Sequence, residues 1–374
     1  MRILQLGKFY PVLGGVEKVM FDFTSGLSEA GVECDMMCAT SDGRGSEVIE
    51  LNPHGRVVCC KTWLKKARTT IAPSMITKLR RMAEGYDIIH IHHPDPMAAV
   101  ALMLSGFRGK VVLHWHSDIL SQKTLLKFYL PIQNWLIKRA DAIVGTSPVY
   151  LAESPYLQKV QSKTRCIPIG IVPNRSDIAK VQSIRNEYAG RKIIFSLGRL
   201  VEYKGYRYLI EAAKYLDDSH IILIGGGGPL KDELQSQIDG LGVGNRVKLL
   251  GKVSDEDLPS YYGACDLFCL SSIMKTEAFG IVQIEAMSEG RPLIATKIPA
   301  SGVAWVNEDE VSGINVAPRD GRAIAEAILT ITRNPETWTR FSEGSRRRFA
   351  ENFTKEKMLA DCRRLYADLL GVEV

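Results

Sequence analysis

Residues 267–296, LFCLSSIMKTEAFGIVQIEAMSEGRPLIAT, carry the clearest folding signal in the chain. The apolar run Leu267–Leu270 has the length of a buried strand, and apolar residues at helical spacing follow it from Ile281 onward. A second apolar run, Leu293–Ala295, comes after the turn-forming sequence EGRP. Strand, helix and strand in this order predict a βαβ unit, in which the two strands are parallel.

The same alternation extends over the whole chain, whose 374 residues are too many for one ordinary core and suit two domains. A segment containing Pro and Gly at residues 166–173 breaks any helix between the halves. We predict an α/β protein with Rossmann-like domains at 1–172 and 173–352. In the remaining segment, 353–374, we predict a helix at Lys355–Leu370 with Thr354 as its N-cap. The remaining predicted strands are Ile3–Leu6, Ile88–Ile91, Val111–His114, Ala142–Val144, Ile193–Leu197, Ile221–Ile224 and Val247–Leu249.

The composition is that of a protein that folds throughout, with 45% hydrophobic and 24% charged residues. No run approaches the roughly 18 apolar residues of a membrane span, and the opening run, Ile3–Leu6, is too short for a signal peptide. Eight cysteines without Cys-x-x-Cys spacing predict reduced core thiols rather than disulfides or a structural zinc site. These features predict a cytoplasmic protein.

Positive charge is concentrated in the first half, although the net charge is only +6. Residues 51–83 hold eight Lys or Arg and no acid, with Trp63 among them, and residues 119–140 mix basic residues with Phe128 and Tyr129. Basic residues among aromatics favour contact with an anionic membrane surface, and the alternative is a solvated basic face over core aromatics. Nucleic acid is disfavoured as a partner, because no recognised nucleic-acid-binding motif accompanies the charge.

A loop with two cations follows the predicted strand Ile193–Leu197. Arg199 and Lys204 lie five residues apart in it, between Gly198 and Gly205. Open α/β sheets bind ligands at the carboxyl ends of their strands. Arg offers a fork of donors and Lys a point charge, so the pair suits a diphosphate, and the alternative is two solvated surface charges.

Two glutamates bracket the start of the helix predicted after Leu267–Leu270. If Glu277 ends the loop and Glu285 lies in the helix, about 12 Å along the helix axis separates their Cα atoms. Carboxyl groups of a glycosidase pair would be about 5 to 10 Å apart, so these two suit the ends of an extended ligand better than one reacting bond. The helix N-terminus between them favours a phosphate group.

These residues resemble the hallmark of retaining glycosyltransferase family 4: Arg199, Lys204, and Glu277 with seven residues before Glu285. The resemblance implies the GT-B fold, in which two Rossmann-like domains with parallel sheets face across a cleft. It also implies that the first domain, 1–172, binds the acceptor and that the second, 173–352, binds the nucleotide-sugar donor. Supporting phrases occur in the family's order along nearly the whole chain: YPVLGGVEKV at 10–19, DIIHIHHPDP at 87–96, HWHSD at 114–118, IPIGI at 167–171, SLGRLVEYKG at 196–205, IGGGGPL at 224–230, GACDLFCLSS at 263–272 and SGINVAP at 312–318.

The resemblance implies a role for each of these residues around a nucleotide-sugar donor. Arg199 and Lys204 would neutralise the leaving diphosphate, Glu285 would bind the ribose, and Glu277 would bind a hydroxyl of the transferred sugar. His116 would contact the donor sugar and orient the attack. Further donor contacts would come from Gly14, Gly15, Gly198, Gly226, Gly227, Ala278, Phe279, Gly280 and Ile281.

Histidines in the first half suggest a competing metal site. His90 and His92 share one face of a predicted strand, with His93 beside them. The resemblance implies a metal-independent enzyme, in which cations and helix dipoles act at the diphosphate instead. His114 fits a strand residue, whereas His116 fits the loop that follows the strand.

Two other segments leave questions open. Asp255, Glu256 and Asp257 match the Asp-x-Asp metal motif of another glycosyltransferase fold, but after Ser254 they fit the first turn of a helix better. The segment 298–310, IPASGVAWVNEDE, departs from the family's usual phrase; its Gly302 and Val303 are expected at the turn that contacts the sugar, and Trp305 is part of the departure.

The implied reaction moves a hexose from a nucleoside diphosphate to an acceptor hydroxyl with retention of configuration and without a cofactor. The first expectation is mannose from GDP-mannose, moved to a lipid-linked or envelope oligosaccharide at the inner face of the cytoplasmic membrane. UDP-glucose and UDP-N-acetylglucosamine are alternative donors. The competing functions are a sugar-nucleotide epimerase of the same fold and a noncatalytic protein that binds a sugar nucleotide or a membrane. The resemblance also implies that the C-terminal helix folds back against the first domain.

Overall fold

The computed structural model describes residues 1–12, 14–66, 69–119 and 123–373, without the side chains of Lys66, Thr69 and residues 123–126. The chain divides into two compact units. Unit 1 comprises Met1–Ile169 together with Lys355–Val374, and unit 2 comprises Gly170–Thr354. The sequence-based boundaries follow residues 172 and 352, and the donor and acceptor roles given to the two domains stay predictions.

Sixteen strands are present in the described parts of the chain. They are β1 (Arg2–Tyr10), β2 (Glu33–Thr40), β3 (Glu47–Asn52), β4 (Gly55–Cys60), β5 (Leu64–Lys66), β6 (Thr69–Ile71), β7 (Ile88–His93), β8 (Lys110–Trp115), β9 (Ala142–Gly145), β10 (Thr164–Cys166), β11 (Lys192–Leu197), β12 (His220–Gly225), β13 (Val247–Gly251), β14 (Leu267–Leu270), β15 (Leu293–Thr296) and β16 (Gly313–Val316).

Fourteen α-helices connect these strands in the described residues. They are α1 (Gly15–Glu29), α2 (Ser74–Met82), α3 (Pro96–Ser105), α4 (Lys123–Arg139), α5 (Pro148–Glu153), α6 (Ile178–Glu187), α7 (Tyr206–Ala212), α8 (Lys231–Gly240), α9 (Leu258–Ala264), α10 (Ile281–Ser288), α11 (Val303–Val306), α12 (Gly321–Arg333), α13 (Pro335–Asn352) and α14 (Lys355–Leu370).

Unit 1 is built on an eight-stranded sheet with the order β10-β9-β8-β7-β1-β2-β4-β3. Its neighbouring strands are parallel except β3 and β4, and β5 and β6 form a separate antiparallel hairpin. Helix α14 packs on α1, where Gly26 leaves room for Leu359, since a Cβ on this glycine would collide with the Leu359 side chain. The C-terminal helix therefore belongs to the packing of unit 1.

Unit 2 is built on a six-stranded parallel sheet with the order β13-β12-β11-β14-β15-β16. Every residue of β12 and β14 is buried, because an open parallel sheet has helices on both faces. Helices begin at side-chain caps where the sequence provides them: Asp177 caps α6, Asp320 caps α12 and Asn334 caps α13. Both units therefore have the predicted Rossmann-like α/β architecture.

Two details differ from the sequence-based expectations. All eight cysteines are free, but Cys166 at the end of β10 is exposed and is not a core thiol. Asp255 and Glu256 lie in the turn before α9, and Asp257 is the N-cap residue of that helix, so none of the three is in its first turn. Among the helices of the described residues, none has the length and apolar character needed to cross a membrane.

Candidate functional site

The predicted cations and glutamates of unit 2 lie at the carboxyl ends of β11 and β14. These two strands are neighbours at the centre of the sheet, and the chain runs from β11 to one side and from β14 to the other. Such a reversal of strand order opens a crevice at the strand ends, where open α/β sheets bind ligands. The fold therefore puts the loops after Leu197 and Leu270 at the expected binding edge.

Lys204 and Glu277 form an ion pair at this edge. Lys204 lies in a short 3-10 helix, Glu202–Lys204, and its Nζ is 2.5 Å from Glu277 Oε2. The Ser272 hydroxyl donates to the same carboxylate oxygen at 3.0 Å. Burial alone would lower the pKa of Lys204, but the neighbouring Glu277 carboxylate outweighs burial and raises it. The ammonium group therefore stays charged.

Arg199 differs from Lys204 in its surroundings. Its side chain is exposed, and it makes no ion pair with any described residue. It follows Gly198, whose φ of +154° is rare for residues with a side chain. Of the two residues predicted to bind a diphosphate, Lys204 is thus a buried ammonium with a carboxylate partner and Arg199 is an exposed guanidinium.

The glycine-rich loop after β12 packs directly against the Arg199 loop. Gly226 has a φ of +129°, and a Cβ on it would collide with the carbonyl oxygen of Gly198. A Cβ on Gly228 would collide with the carbonyl of Leu200, whereas a Cβ on Gly227 would meet no atom within 4 Å. Close backbone packing thus requires glycine at 226 and 228, and position 227 borders open space.

Hydrogen bonds from the segment that follows β15 hold the loop that carries Glu277. Ser301 Oγ donates to the Glu277 carbonyl at 2.5 Å, and the backbone N of Gly302 donates to the Ala278 carbonyl at 2.9 Å. Gly280 precedes α10 with a left-handed φ of +77°, which favours glycine. The structure thus brings Gly302 to the Glu277 loop, and its contact with the sugar stays a prediction.

Glu285 lies within α10, one element further along than Glu277. Its Oε2 accepts a hydrogen bond from the Tyr262 hydroxyl at 2.6 Å, and Tyr262 is fully buried on α9. Burial, followed by the Glu285 carboxylate, raises the pKa of Tyr262 well above its ordinary value. Tyr262 therefore stays protonated and orients this carboxylate.

The glycines predicted in unit 1 begin a helix. Gly14 is the N-cap residue of α1, with extended backbone, and Gly15 is the first residue of the helix. No side chain caps these amides, which suits a helix N-terminus that binds an anion. The Glu17 carboxylate lies against Gly14, however, because a Cβ on that glycine would be 2.9 Å from Glu17 Oε2. Leu13, within the matching phrase, lies outside the described residues.

His116 lies in the loop directly after β8 and is 6% exposed. Its backbone N donates to the His93 carbonyl at 3.2 Å. Asp118, two residues on, accepts from Trp115 Nε1 at 2.9 Å and from Ser154 Oγ at 2.7 Å. The loop is therefore held by the side chains of Trp115 and Ser154 and by the backbone of His93.

Four histidine rings stack beside one another on the face of β7 and β8. His114 and His116 are 4.0 Å apart between ring centroids, and His92 stacks on both at 5.2 Å. Burial lowers the pKa of His114 to about 3 and holds the pKa values of His90, His92 and His116 well below the usual range. The rings are therefore neutral at physiological pH.

The grouping of histidines differs from the one that the sequence suggests. His93 points away and stacks on Trp115 at 4.0 Å, whereas ring nitrogens of His90, His92 and His114 lie within 4.8 Å of one another. Both nitrogens of His92 have hydrogen-bond partners, so only His90 and His114 of these three keep ring nitrogens without one. A zinc site has three or four ligands, and only two of these imidazoles have a ring nitrogen left to bind a metal, so the arrangement favours hydrogen bonding.

Two of the three acids of the Asp-x-Asp candidate bond to other side chains of unit 2. Lys180 Nζ lies 2.7 Å from Glu256 and 2.6 Å from Asp257, and Ser254 Oγ donates to Asp257 at 2.6 Å. Glu256 and Asp257 therefore both pair with one lysine of unit 2, beside the start of α9.

Sequence reasoning missed the residues that orient the predicted ones. Ser272 and Tyr262 hold the two glutamates, as described above. Lys8 ends the regular part of β1 with a left-handed φ of +55°, uncommon for any residue but glycine, and its backbone N donates to Asp95 Oδ2 at 2.6 Å. After burial and His114, Lys8 also lowers the pKa of His116. Ser272 ends the phrase GACDLFCLSS, but nothing in that phrase marks it as a partner of Glu277, and Tyr262 and Lys8 lie outside the quoted phrases.

Comparison with known proteins identifies the family of both units. The model of Glycosyltransferase Family 4 matches residues 13–175, and that of Glycosyl transferases group 1 matches residues 177–348. The chain is 33% identical over 375 residues to the O-antigen chain mannosyltransferase C of Escherichia coli, covering 99% of each chain. It is 29% identical to the D-rhamnosyltransferase WbpZ of Pseudomonas aeruginosa, covering 95% of this chain and 92% of that protein.

Solved structures with low sequence identity share the fold. HepE of Anabaena, solved in complex with UDP, gives a TM-score of 0.77 at 21% identity, with 98% of this chain and 100% of that chain covered. Sucrose-phosphate synthase of Thermosynechococcus elongatus gives a TM-score of 0.78 at 23% identity, with 99% and 100% covered. The fold is therefore GT-B, and by its full-length relatives and the two matching family models the chain belongs to glycosyltransferase family 4.

Proposed function

We propose that the chain transfers mannose from GDP-mannose to a lipid-linked or envelope oligosaccharide with retention of anomeric configuration. The observation that carries the proposal is the Lys204–Glu277 ion pair at the binding edge of unit 2, beside the exposed guanidinium of Arg199. A cation next to a carboxylate suits the junction of a sugar and a diphosphate, where an acceptor of hydroxyl hydrogens and a partner for phosphate are needed together. The similarity to an O-antigen chain mannosyltransferase supports mannose and a glycan acceptor.

The donor contacts follow from this arrangement. Lys204 binds the diphosphate and balances the negative charge that develops on it as its bond to the sugar breaks. Arg199 donates two hydrogen bonds to the diphosphate oxygens. Glu277 accepts from a hydroxyl of the transferred sugar. Glu285, oriented by Tyr262, accepts from the ribose hydroxyls. Gly198, Gly226, Gly227 and the backbone of residues 278–281 line the donor.

In unit 1, Gly14, Gly15 and His116 complete the donor contacts. The uncapped amides of the first turn of α1 bind the phosphate of the donor that is joined to the sugar. The nearby Glu17 carboxylate repels that phosphate and weakens this contact. His116 contacts the transferred sugar as a neutral acceptor or donor, because burial lowers its pKa well below the usual range.

In the reaction, the acceptor hydroxyl attacks the anomeric carbon from the face that the diphosphate leaves. The acceptor oxygen bonds to that carbon as the bond to the phosphate oxygen breaks, and the leaving phosphate takes the acceptor proton. Unit 2 presents Glu277 in an ion pair with Lys204, which disfavours it as a covalent nucleophile. Recovery of a glycosyl-enzyme adduct after quenching with donor, detected by mass spectrometry, would overturn this mechanism.

Fixed cations take the place of a metal in this proposal. Lys204 and Arg199 supply the positive charge at the diphosphate that other transferases take from a divalent ion. Turnover should therefore persist in excess EDTA. A loss that added Mg²⁺ or Mn²⁺ restores would contradict the metal-independent form of the proposal.

A surface of unit 1 supports contact with an anionic membrane at the inner face of the cytoplasmic membrane. Trp63, Leu64 and Ile71 at the β5–β6 hairpin are 72%, 52% and 46% exposed, and Phe128 on α4 is 79% exposed. The exposed Lys65 lies in the same hairpin. Exposed apolar side chains next to lysines suit the headgroup region of an anionic bilayer.

Part of the basic stretches behind this proposal lies outside the described residues. Arg68 is one such residue, and the side chains of Lys66 and residues 123–126, including Lys123, Leu125 and Leu126, are not described either. Tyr129 is only 6% exposed and stacks on His93, so this aromatic residue belongs to the core rather than to the surface.

Binding of nucleotides tests the donor site directly. Calorimetric and thermal-shift titrations should show selective binding of GDP and GDP-mannose, lost in Lys204→Ala and Glu285→Ala and kept in Lys214→Ala, an exposed lysine of unit 2. Preference for UDP and its glucose or N-acetylglucosamine conjugates would assign the alternative donors. Turnover of a nucleotide sugar without any acceptor would favour the epimerase, and no binding by any nucleotide would favour the noncatalytic protein.

A further inference from the structure

We infer that Gln5 and Tyr366 are positioning residues that fix, through His92, which nitrogen of His116 carries the proton; the inference rests on the proposed role of His116. Four consecutive hydrogen bonds connect these side chains with His90. His116 Nε2 is 2.9 Å from His92 Nδ1, and His92 Nε2 is 2.8 Å from Gln5 Oε1. Gln5 Nε2 is 3.1 Å from the Tyr366 hydroxyl, which is 2.6 Å from His90 Nδ1.

The direction of each bond follows from the amide of Gln5. Its Oε1 can only accept, so His92 Nε2 must carry the proton that it donates. A neutral His92 then has a lone pair on Nδ1, and His116 Nε2 must donate to it. In a neutral His116, the proton on Nε2 leaves a lone pair on Nδ1. His116 therefore offers an acceptor, and not a donor, at its second nitrogen.

Tyr366 supports this orientation of the Gln5 amide. Gln5 Nε2 lies 3.1 Å from the Tyr366 hydroxyl, and an NH₂ group can only donate, so the hydroxyl accepts from Gln5 and keeps its own hydrogen for His90 Nδ1. The carbonyl of Gln5 then faces His92. Gln5 and Tyr366 are fully buried, so water does not compete for either group.

The consequence for the reaction is a difference between donating to and accepting from a sugar hydroxyl. If the Gln5 amide turned over, His92 and His116 would both shift their protons to the opposite nitrogen, and His116 Nδ1 would become a donor. Helix α14, which carries Tyr366, thus contributes to the chemistry of unit 1 as well as to its packing.

Ring ¹⁵N NMR of the full chain labelled at histidine tests the inference without reference to activity. The chain has seven histidines, so the variant His116→Gln assigns its signals by difference. Wild type should show His116 with a protonated Nε2 and a bare Nδ1. Tyr366→Phe, and Gln5→Met as a second break in the chain, should shift His116 toward the other tautomer.

The matched control is Tyr86→Phe in the same unit. Tyr86 is also buried, and its hydroxyl donates to Asp35 Oδ2 at 2.6 Å, outside the histidine chain. Tyr86→Phe should leave the His116 signals and kcat unchanged. Tyr366→Phe should lower kcat by roughly 3- to 10-fold, the usual effect of one buried hydrogen bond, with the KM for the donor unchanged.

Two outcomes overturn the inference, whatever the activity: a wild-type His116 protonated on Nδ1, or His116 signals that Tyr366→Phe and Gln5→Met both leave unchanged. The proposed function fails separately. If the tautomer shifts as expected but His116→Gln keeps full transferase activity, the chain of hydrogen bonds exists and the role of His116 in transfer is wrong.

Discussion

At the carboxyl ends of its central strands, unit 2 carries an ammonium and two carboxylates, each held by a partner: Lys204 by Glu277, and Glu285 by Tyr262. At the same edge of its own sheet, unit 1 carries stacked imidazoles that burial keeps neutral, among them His116. A diphosphate is bound best by fixed charges, whereas a sugar hydroxyl is oriented by neutral donors and acceptors. Two sheets of similar design thus present different groups at this edge, charged in unit 2 and neutral in unit 1.

The largest test of this comparison removes the ammonium from unit 2. Lys204→Ala should lower kcat/KM for transfer by about 10²- to 10³-fold, the usual loss when one group that stabilises developing charge is removed. The measurement is initial-rate transfer with the donor identified by the binding titrations.

Lys214→Ala is the matched control for that substitution. Lys214 is exposed, and its Nζ lies 5.8 Å from the centroid of the Tyr215 ring, so it removes a lysine from unit 2 without touching the binding edge. Transfer should be unchanged in this variant. A loss of less than tenfold for Lys204→Ala would break the comparison, since the charges of unit 2 would then serve stability rather than chemistry.

The second test asks whether the apolar surface of unit 1 has a partner. Trp63→Ser should weaken co-sedimentation with phosphatidylglycerol vesicles by roughly 10- to 100-fold, because about 1.5 to 3 kcal/mol of apolar burial is lost. Ile178→Ser in unit 2 removes an 85%-exposed apolar residue and should change nothing. Equal effects of the two substitutions would show non-specific adsorption, and the membrane would no longer distinguish the units.

The third test concerns the neutrality of unit 1. The pKa of His114 is about 3 in the folded protein, below the unfolded value of about 6.5. The unfolded chain therefore takes up a proton below pH 6.5 that the folded chain refuses, so stability is complete above that pH and is lost as the pH falls toward 3. Each such histidine costs about 1.4 kcal/mol per pH unit in this window.

His114→Phe should reduce the loss of unfolding free energy between pH 7.5 and 5.5 by about 1 kcal/mol, measured by urea unfolding at both values. Phe23→Leu is the control, because Phe23 packs on His114 at 5.8 Å between centroids and carries no titrating group. It should lower stability equally at both pH values. An unchanged pH dependence in His114→Phe would mean that this histidine takes up its proton in the folded protein as readily as in the unfolded chain.

How far the sequence predicts this molecule depends on how local each signal is. Strands such as β12 and β14 are short apolar runs and were predicted almost to the residue. Strand β2, Glu33–Thr40, was missed because its sequence ECDMMCAT mixes charge with sulfur-containing residues and shows neither an apolar run nor alternation. The helix Lys355–Leu370 was predicted with the observed bounds, because its cap and its spacing are both local.

The site shows the same limit. Arg199, Lys204, Glu277 and Glu285 stand in a recognisable spacing, and the structure brings them to one edge of the sheet, although their roles stay predictions. Their orienting partners could not be predicted, because no pattern in the chain connects a glutamate to a tyrosine 23 residues away or Gln5 to a residue 361 positions later. Such contacts depend on packing of whole elements, which a sequence window does not contain.

The smallest test sharpens the comparison within unit 2 itself. Tyr262→Phe removes the hydroxyl that orients Glu285 and should weaken donor binding by about 3- to 10-fold in calorimetry, the usual net effect of one hydrogen bond. Tyr261→Phe, the neighbouring tyrosine on α9, stacks on Phe195 and should bind the donor as wild type does. Because Glu285 is assigned to the ribose, far from the reacting carbon, kcat should not change. A fall in kcat at unchanged donor affinity would mean that the Glu285 carboxylate acts in the transition state. Its proposed role in binding the ribose alone would then be wrong.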